Sequence, residues 1–462
     1  MRRDILGNAT TISSPQAALA WDETTEAMLA HAKRTPEALA IVLAEDPHFA
    51  QAYALKGLMV LTLARSEMTQ FARQCLAQAE AAAKIQPPNA RESSYIDALR
   101  HWLDGNIILA VDCLESIASL YPLDAMAIKL AHAIRFMIGD LKGMLHGIDK
   151  AASHFTDDTP FAGYIFGCRA FALEENGRYR EAETTGRQAV ALAPRDAWGL
   201  HAVAHVLEMN GRAEEGYAWL GGAAHYEHCN NFGYHIHWHR ALFALELGRV
   251  NEVLALHDGA IRRDHTDDFR DVANGASILQ RLELEGVDVG DRWSELADIA
   301  SRRVNDGQLV FADLHYLLAL LGGKRLDCAN KLVATMLADA QSGSCYNSRV
   351  AEQTGAHIAQ GLVDFAAGRY QSAARHLMRG RDLRQIMGGS HAQRDVFEQV
   401  TLEALLRSGD LDRAEKILKA RLSARSRNRF ASSRLGRLQS ARDQSARIGA
   451  LLMEALPAAT HH

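Results

Sequence analysis

Residues 177–196 read Gly-Arg-Tyr-Arg-Glu-Ala-Glu-Thr-Thr-Gly-Arg-Gln-Ala-Val-Ala-Leu-Ala-Pro-Arg-Asp. Gly177 follows a helical run, at the place where a left-handed residue closes a helix. Five residues on, Ala182 is small enough for a second helix to pack tightly on the first. The amphipathic run through Ala189 ends at Pro194, and Asp196 is placed to cap the helix that follows. The same phrase recurs at Gly105 with Ala110, Gly211 with Gly216, Gly248 with Val253, Gly368 with Ala373 and Gly409 with Ala414. Gly177 and Gly211 are 34 residues apart, the tetratricopeptide period, and Gly211 and Gly248 are 37 apart. A further helix–Pro–x–Asp ending stands at Tyr121-Pro122-Leu123-Asp124. The expected fold is all-α: helical hairpins stacked into a right-handed tetratricopeptide-like superhelix, continuous over 1–462. Within it we separate an N-terminal segment (1–20), a helical section of irregular spacing (265–360) and a basic C-terminal capping helix and tail (416–462).

Composition agrees with this reading. The 462 residues are 48% hydrophobic and 23% charged, which excludes a disordered or collagen-like chain. Aromatics at 7% and only nine prolines favour helix. A net charge of −5 excludes a polycation, and we expect no nucleic acid as partner. No leader-like or membrane-spanning apolar run is visible, so we expect no membrane association and a cytoplasmic location. The six cysteines show no CxxC pair and read as reduced, packed thiols.

The sharpest anomaly is histidine. Seven of the 21 (His201, His205, His225, His228, His235, His237 and His239) lie between 201 and 239. In a tetratricopeptide unit the first helix lines the concave groove with positions 2, 5, 6, 9, 12 and 13, and the glycine is position 15. Counting back from Gly211 puts His201, His205 and Glu208 at 5, 9 and 12, on one stripe of a helix. Counting back from Gly248 puts His235, Trp238 and His239 at 2, 5 and 6. Gly177 places Tyr164 at 2, and Gly139 places Lys129 at 5. Successive inner helices thus aim Lys129, Tyr164, His201, His205, Glu208, His235, Trp238 and His239 into one groove. His225, His228 and His237 fall off the stripe and read as surface or loop.

Histidines at i and i+4 share a metal ion, and two such pairs on adjacent helices supply four ligands. Neutral imidazole suits zinc or iron, and also nickel or copper. A metal-free alternative makes one histidine a general acid or base oriented by Glu208. A third reading has the imidazoles bridging neighbouring repeats. The catalytic set would be His201, His205, Glu208, His235 and His239, with metal-assisted or acid–base hydrolysis of a small molecule as the reaction class. Trp238 and Tyr164 would be pocket walls, and Lys129 and Arg394 anchors for a substrate anion. The competing function is a non-enzymatic scaffold that holds a peptide in the groove. The chain is also compatible with a homo-oligomer.

Two further segments carry polar residues. Asp313 and His315, further candidate substrate-binding residues, lie in Phe311-Ala312-Asp313-Leu314-His315. On a helix they point about 200° apart, and Asp313 is alternatively an N-cap. The stretch from Gly388 to Phe397 runs from a glycine turn into a helix. Ser390 and Gln393 have capping-box spacing there; Arg394 at the helix start is placed to bind a carboxylate or phosphate, with Asp395 beside it in the candidate substrate-binding set, or the two pair on the surface. From Lys416 to Arg447 ten Lys and Arg face one acid, Asp443. His461-His462 resembles a tag remnant and is set aside.

These residues resemble the tetratricopeptide repeat protein 38 family. The resemblance rests on Asp196-Ala197-Trp198 with His201, His205 and Glu208, and on Tyr234-His235 with Trp238-His239. It extends to Leu282 through Trp293, to Gly388 through Phe397, to Asp313 with His315, and to Lys129 with His132. It runs from about Thr10 to about Leu438. It implies one all-helical superhelix and no settled activity. It adds weight to His201, His205, Glu208, His235, Trp238 and His239, which the family pattern contains, and none to His237.

Overall fold

The computed structural model describes residues 2–343 and 345–455. Met1, Ser344 and 456–462 lie outside the described residues, among them the extremities of the 1–20 and 416–462 segments and the His461-His462 pair. The fold is an all-α superhelix of tetratricopeptide-like hairpins. A two-residue antiparallel ribbon, Arg2–Arg3 against Ala9–Thr10, precedes it. Three successive hairpins position the histidines. Ala162–Glu175 pairs with Tyr179–Leu192, Ala197–Met209 with Ala213–Trp219, and Phe232–Glu246 with Val250–Leu256. Their first helices end on Gly177, Gly211 and Gly248 at φ +76°, +67° and +75°, the region that a Cβ disfavours. Asp196 caps Ala197–Met209 by accepting the Gly199 N–H at 3.0 Å. At the tight-packing position, a Cβ on Gly216 would collide with the Phe243 ring.

Burial separates inner from outer helices. Every residue from Ala197 to Leu207 is buried, whereas Tyr179–Leu192 buries only Ala182, Thr185, Gly186 and Ala189. The inner helices are enclosed because the chain fills its own concave side. The His391–Ser408 helix lies there. Arg281 Nη2 donates to the Ala392 carbonyl at 2.7 Å, and Arg394 Nη2 reaches Glu175 Oε2 at 3.4 Å. Gly388 abuts the Met137 backbone, and Gly389 abuts the Phe311 ring. Arg65 joins Asp267 at 2.7 Å and Ser66 joins Asp306 at 3.0 Å, so the early hairpins meet the irregular section.

The irregularity in that region is physical. π-helical turns interrupt the helices at His257–Ile261 and Ala351–Gly355. Ser390 and Gln393 do form a capping box. Asp313 is not an N-cap: the Val310–Gly322 helix is preceded by Leu309 at that position, which leaves Asp313 inside the first turn. The basic segment forms the Leu411–Ala424 and Arg429–Ala455 helices. Several of its arginines pair within the chain. Arg421 pairs with Asp395 at 3.1 Å, Arg425 with Glu208 at 3.1 Å, and Arg434 with Glu403 at 2.9 Å. No described helix is long and apolar enough to cross a membrane.

Candidate metal centre

His201 and His205 sit one turn apart on Ala197–Met209, and His235 and His239 one turn apart on Phe232–Glu246. The two helices are neighbours, so the four rings meet. Nε2 of His205 lies 2.9 Å from Nε2 of His201, which lies 3.1 Å from Nε2 of His235, which lies 3.2 Å from Nε2 of His239. One ring nitrogen from each of the four falls within 4.8 Å of the others. Four imidazoles around a zinc ion, with Zn–N near 2.05 Å in a tetrahedron, stand about 3.3 Å apart. The four residues are no more than 9% exposed.

Three of the four outer ring nitrogens face oxygen, and His201 Nδ1 is buried without a partner. His235 Nδ1 is 2.9 Å from Asn274 Oδ1, His205 Nδ1 is 3.5 Å from Glu174 Oε2, and His239 Nδ1 is 3.8 Å from Glu208 Oε2. The last two exceed a hydrogen bond, and both Glu174 oxygens lack a hydrogen-bond partner. Burial, reinforced by the other imidazoles, holds His201, His205 and His239 well below the ordinary imidazole range, and burial pushes His235 down to about 4. The rings are therefore neutral near pH 7, with one N–H each. An N–H turned outward to an oxygen leaves a lone pair on Nε2. Lone pairs from neighbouring rings then face one another about 3 Å apart, an arrangement a cation relieves. Trp238 completes the wall: its ring stacks on His235 at 5.1 Å, and its Nε1–H donates to Ser277 Oγ at 3.0 Å.

The other residues singled out in the sequence are dispersed. Lys129 is buried over the Trp198 ring, and Tyr164 lies beside Phe161 at 6.2 Å, lining a separate crevice with Glu26 and Arg195. Arg394 is buried and bonded to the Gly389 carbonyl as well as facing Glu175. Although burial opposes it, Arg421 and Arg425 hold Asp395 far below the usual carboxylate range. His315 Nδ1–H donates to the Phe311 carbonyl of its own turn at 2.7 Å, and the ring packs on Phe397. Burial, with Asp306 and Asp339, pushes Asp313 up to about 8. His225 is exposed. His228 is half-buried against the Ala30 carbonyl, and His237 packs edge-on to Tyr226.

Glu174, Glu175 and Asn274 were missed in the sequence. Burial, then Glu175 and Glu208, raises Glu174 well above the carboxylate range. A signal existed: counted back from Gly177, Glu174 takes position 12, the position Glu208 takes in the next repeat. Asn274 gave none, because its helix belongs to the irregular section.

No protein-family model matches the chain. Among solved structures, the human IFIT1 dimer with PPP-AAAA is 14% identical, over 93% of this chain and 95% of that one, at a TM-score of 0.42. The human IFIT1 dimer with m7Gppp-AAAA is 13% identical, over 95% and 96%, at 0.37. Naa15/Naa10 bound to HypK-THB is 13% identical, over 96% and 69%, at 0.24. At these values the likeness carries nothing about ligand or partner.

Proposed function

We propose that this chain is a metal-binding tetratricopeptide-like protein in which His201, His205, His235 and His239 hold one divalent ion, zinc by donor type. The observation that carries the reading is the inward convergence of four Nε2 atoms, three of whose rings (His205, His239 and His235) turn their outer nitrogens to Glu174, Glu208 and Asn274. Four protein ligands in a buried shell are the pattern of a closed site, one that stabilises rather than turns over substrate. The ion would clamp Ala197–Met209 to Phe232–Glu246 and hold two repeats in register. The resemblance to the tetratricopeptide repeat protein 38 family supports the reading, since its pattern contains the same four histidines. The His391–Ser408 helix on the concave side weighs against a peptide-holding scaffold, and the internal pairing of the basic segment weighs against nucleic acid.

A second reading keeps the small-molecule chemistry. Glu208 borders a cavity of about 60 Å³ together with Glu246, Arg281, Asp395 and Arg425. Through Glu208 that cavity is one side chain away from His239. Metal-assisted hydrolysis would enter from there.

Elemental analysis of untagged protein tests the first reading. One equivalent of zinc or iron is expected, and it should be lost in His205→Ala. A metal-free protein that takes up neither ion on titration overturns it.

A further inference from the structure

A second polar nest lies around Trp198, on the inner helices that precede the histidine centre. Lys129 is 6% exposed. Its Nζ stands 4.5 Å from the centre of the Trp198 ring, and its one hydrogen-bond contact is Cys168 Sγ at 3.6 Å. Among the described residues no carboxylate lies within ion-pairing distance of it. A buried ammonium without a counter-ion is unfavourable. Cys168 does not supply the charge, because burial pushes its thiol up to about 11. Asp196 acts on Lys129 only from further away, and one of its oxygens is committed to the Gly199 cap.

The surroundings are also short of partners. Trp198 Nε1, both ring nitrogens of His132, His31 Nε2 and Asp196 Oδ1 are buried with no hydrogen bond. His31 stacks on Trp198 at 5.5 Å, and His132 meets its edge at 5.8 Å. Buried polar groups are nearly always satisfied, so several orphans around one indole point to an occupant that is not protein. The donors are an ammonium, an indole N–H and an imidazole N–H. A group with one negative charge and two oxygen acceptors matches them.

We propose that Lys129, Trp198 and His132 form a binding site for a small carboxylate, of acetate or formate size, beside the histidine centre, whose His201 ring lies 5.1 Å from that of Trp198. The ammonium and the indole N–H each take one carboxylate oxygen, and His132 donates to the same group. The site does not depend on a metal at the four histidines, and its donors belong to different residues.

The test is isothermal titration of the full chain with sodium acetate, and separately with sodium formate, replacing sodium chloride at constant ionic strength. Saturable binding of one equivalent is expected. It should weaken at least tenfold in Lys129→Met and in Trp198→Phe, which keeps the aromatic packing and removes the N–H. Far-UV circular dichroism confirms that each variant is folded, and Trp198→Phe alone decides the matter if Lys129→Met does not fold. Glu181→Gln, exposed on the outer helix, should bind acetate as the wild type does. Absence of saturable binding of either anion by the wild type, or binding undiminished in Trp198→Phe, overturns the proposal.

Discussion

The carboxylate of Glu174 lies 3.5 Å from Nδ1 of His205, whose Nε2 lies 2.9 Å from Nε2 of His201. One side of the imidazole thus faces a buried anion and the other faces the shared centre. A carboxylate behind a ligating histidine fixes the tautomer and raises the basicity of the ligand, and losing it typically weakens metal binding about 10–100-fold. Glu174→Gln is expected to weaken binding by that amount in competition with a chromophoric chelator. Glu181→Gln, on the outer helix of the same hairpin, should leave affinity unchanged. Equal affinity in Glu174→Gln would remove the carboxylate from the site.

His235 carries a prediction about acid. Burial lowers its folded-state pKa to about 4, against 6.5 unfolded. Between those values the unfolded chain takes up a proton that the folded chain refuses, so this histidine's contribution falls as pH is lowered through 6.5 towards 4. From pH 7.5 to 5 the loss is about 2 kcal/mol for one such group. Raised carboxylates such as Asp196 and Asp271 (both about 7) and Asp313 (about 8) act in the opposite sense. The informative quantity is therefore the difference from His235→Asn. Urea unfolding of chelated protein should show the wild type losing about 2 kcal/mol more than the variant over that interval. Parallel losses in the two proteins would count against a buried neutral ring.

Where the sequence was legible, spacing made it so. Gly177, Gly211 and Gly248 mark equivalent helix ends, and counting back from them put His201, His205, His235 and His239 on inner stripes. Those positions are set by helical geometry alone, and the rings do meet. What periodicity cannot encode is closure. Nothing local announces that His391–Ser408 folds back onto the concave face, that Arg394 reaches Glu175, or that Arg425 covers Glu208. Lys129 and Tyr164 have groove register too, yet Lys129 ends over the Trp198 ring, and Tyr164, at the start of the helix one repeat earlier, lines a separate crevice. Asn274 could not be found because the repeat phase is lost after Gly248, where the π-helical turn at His257–Ile261 intervenes.

Asp313 is a buried carboxyl with one oxygen unpartnered, and its pKa is raised to about 8. A raised carboxyl in the folded state holds a proton that the unfolded chain has released. Its contribution therefore declines as pH rises from about 4 to 8 and stays reduced above that. Asp313→Asn removes the titration while keeping the shape. Between pH 5 and pH 9 the variant should gain about 4 kcal/mol in stability over the wild type. Chemical denaturation at the two pH values measures this, and a variant less stable at pH 9 would mean that Asp313 has an ionised role.

Arg434 decides how the basic segment is read. Its side chain is 2% exposed and pairs with Glu403 at 2.9 Å, with Glu285 and with the Leu284 carbonyl, above the Phe430 ring. Arg437, one turn along the same helix, is 63% exposed and reaches Glu403 only at 3.6 Å. If the cationic helix exists to meet an external polyanion, the exposed arginine matters and the buried one is a detail. If it clasps the superhelix, the order is reversed. Removing one partner from a buried ion pair leaves the other charge uncompensated and costs about 3–5 kcal/mol, whereas an exposed substitution costs about 0.5 or less. Arg434→Met is expected to lower the thermal midpoint sharply, and adding Glu285→Gln and Glu403→Gln should recover part of the loss. Arg437→Ala should be nearly silent. Similar small losses in both single variants would show that the segment is not an internal clasp.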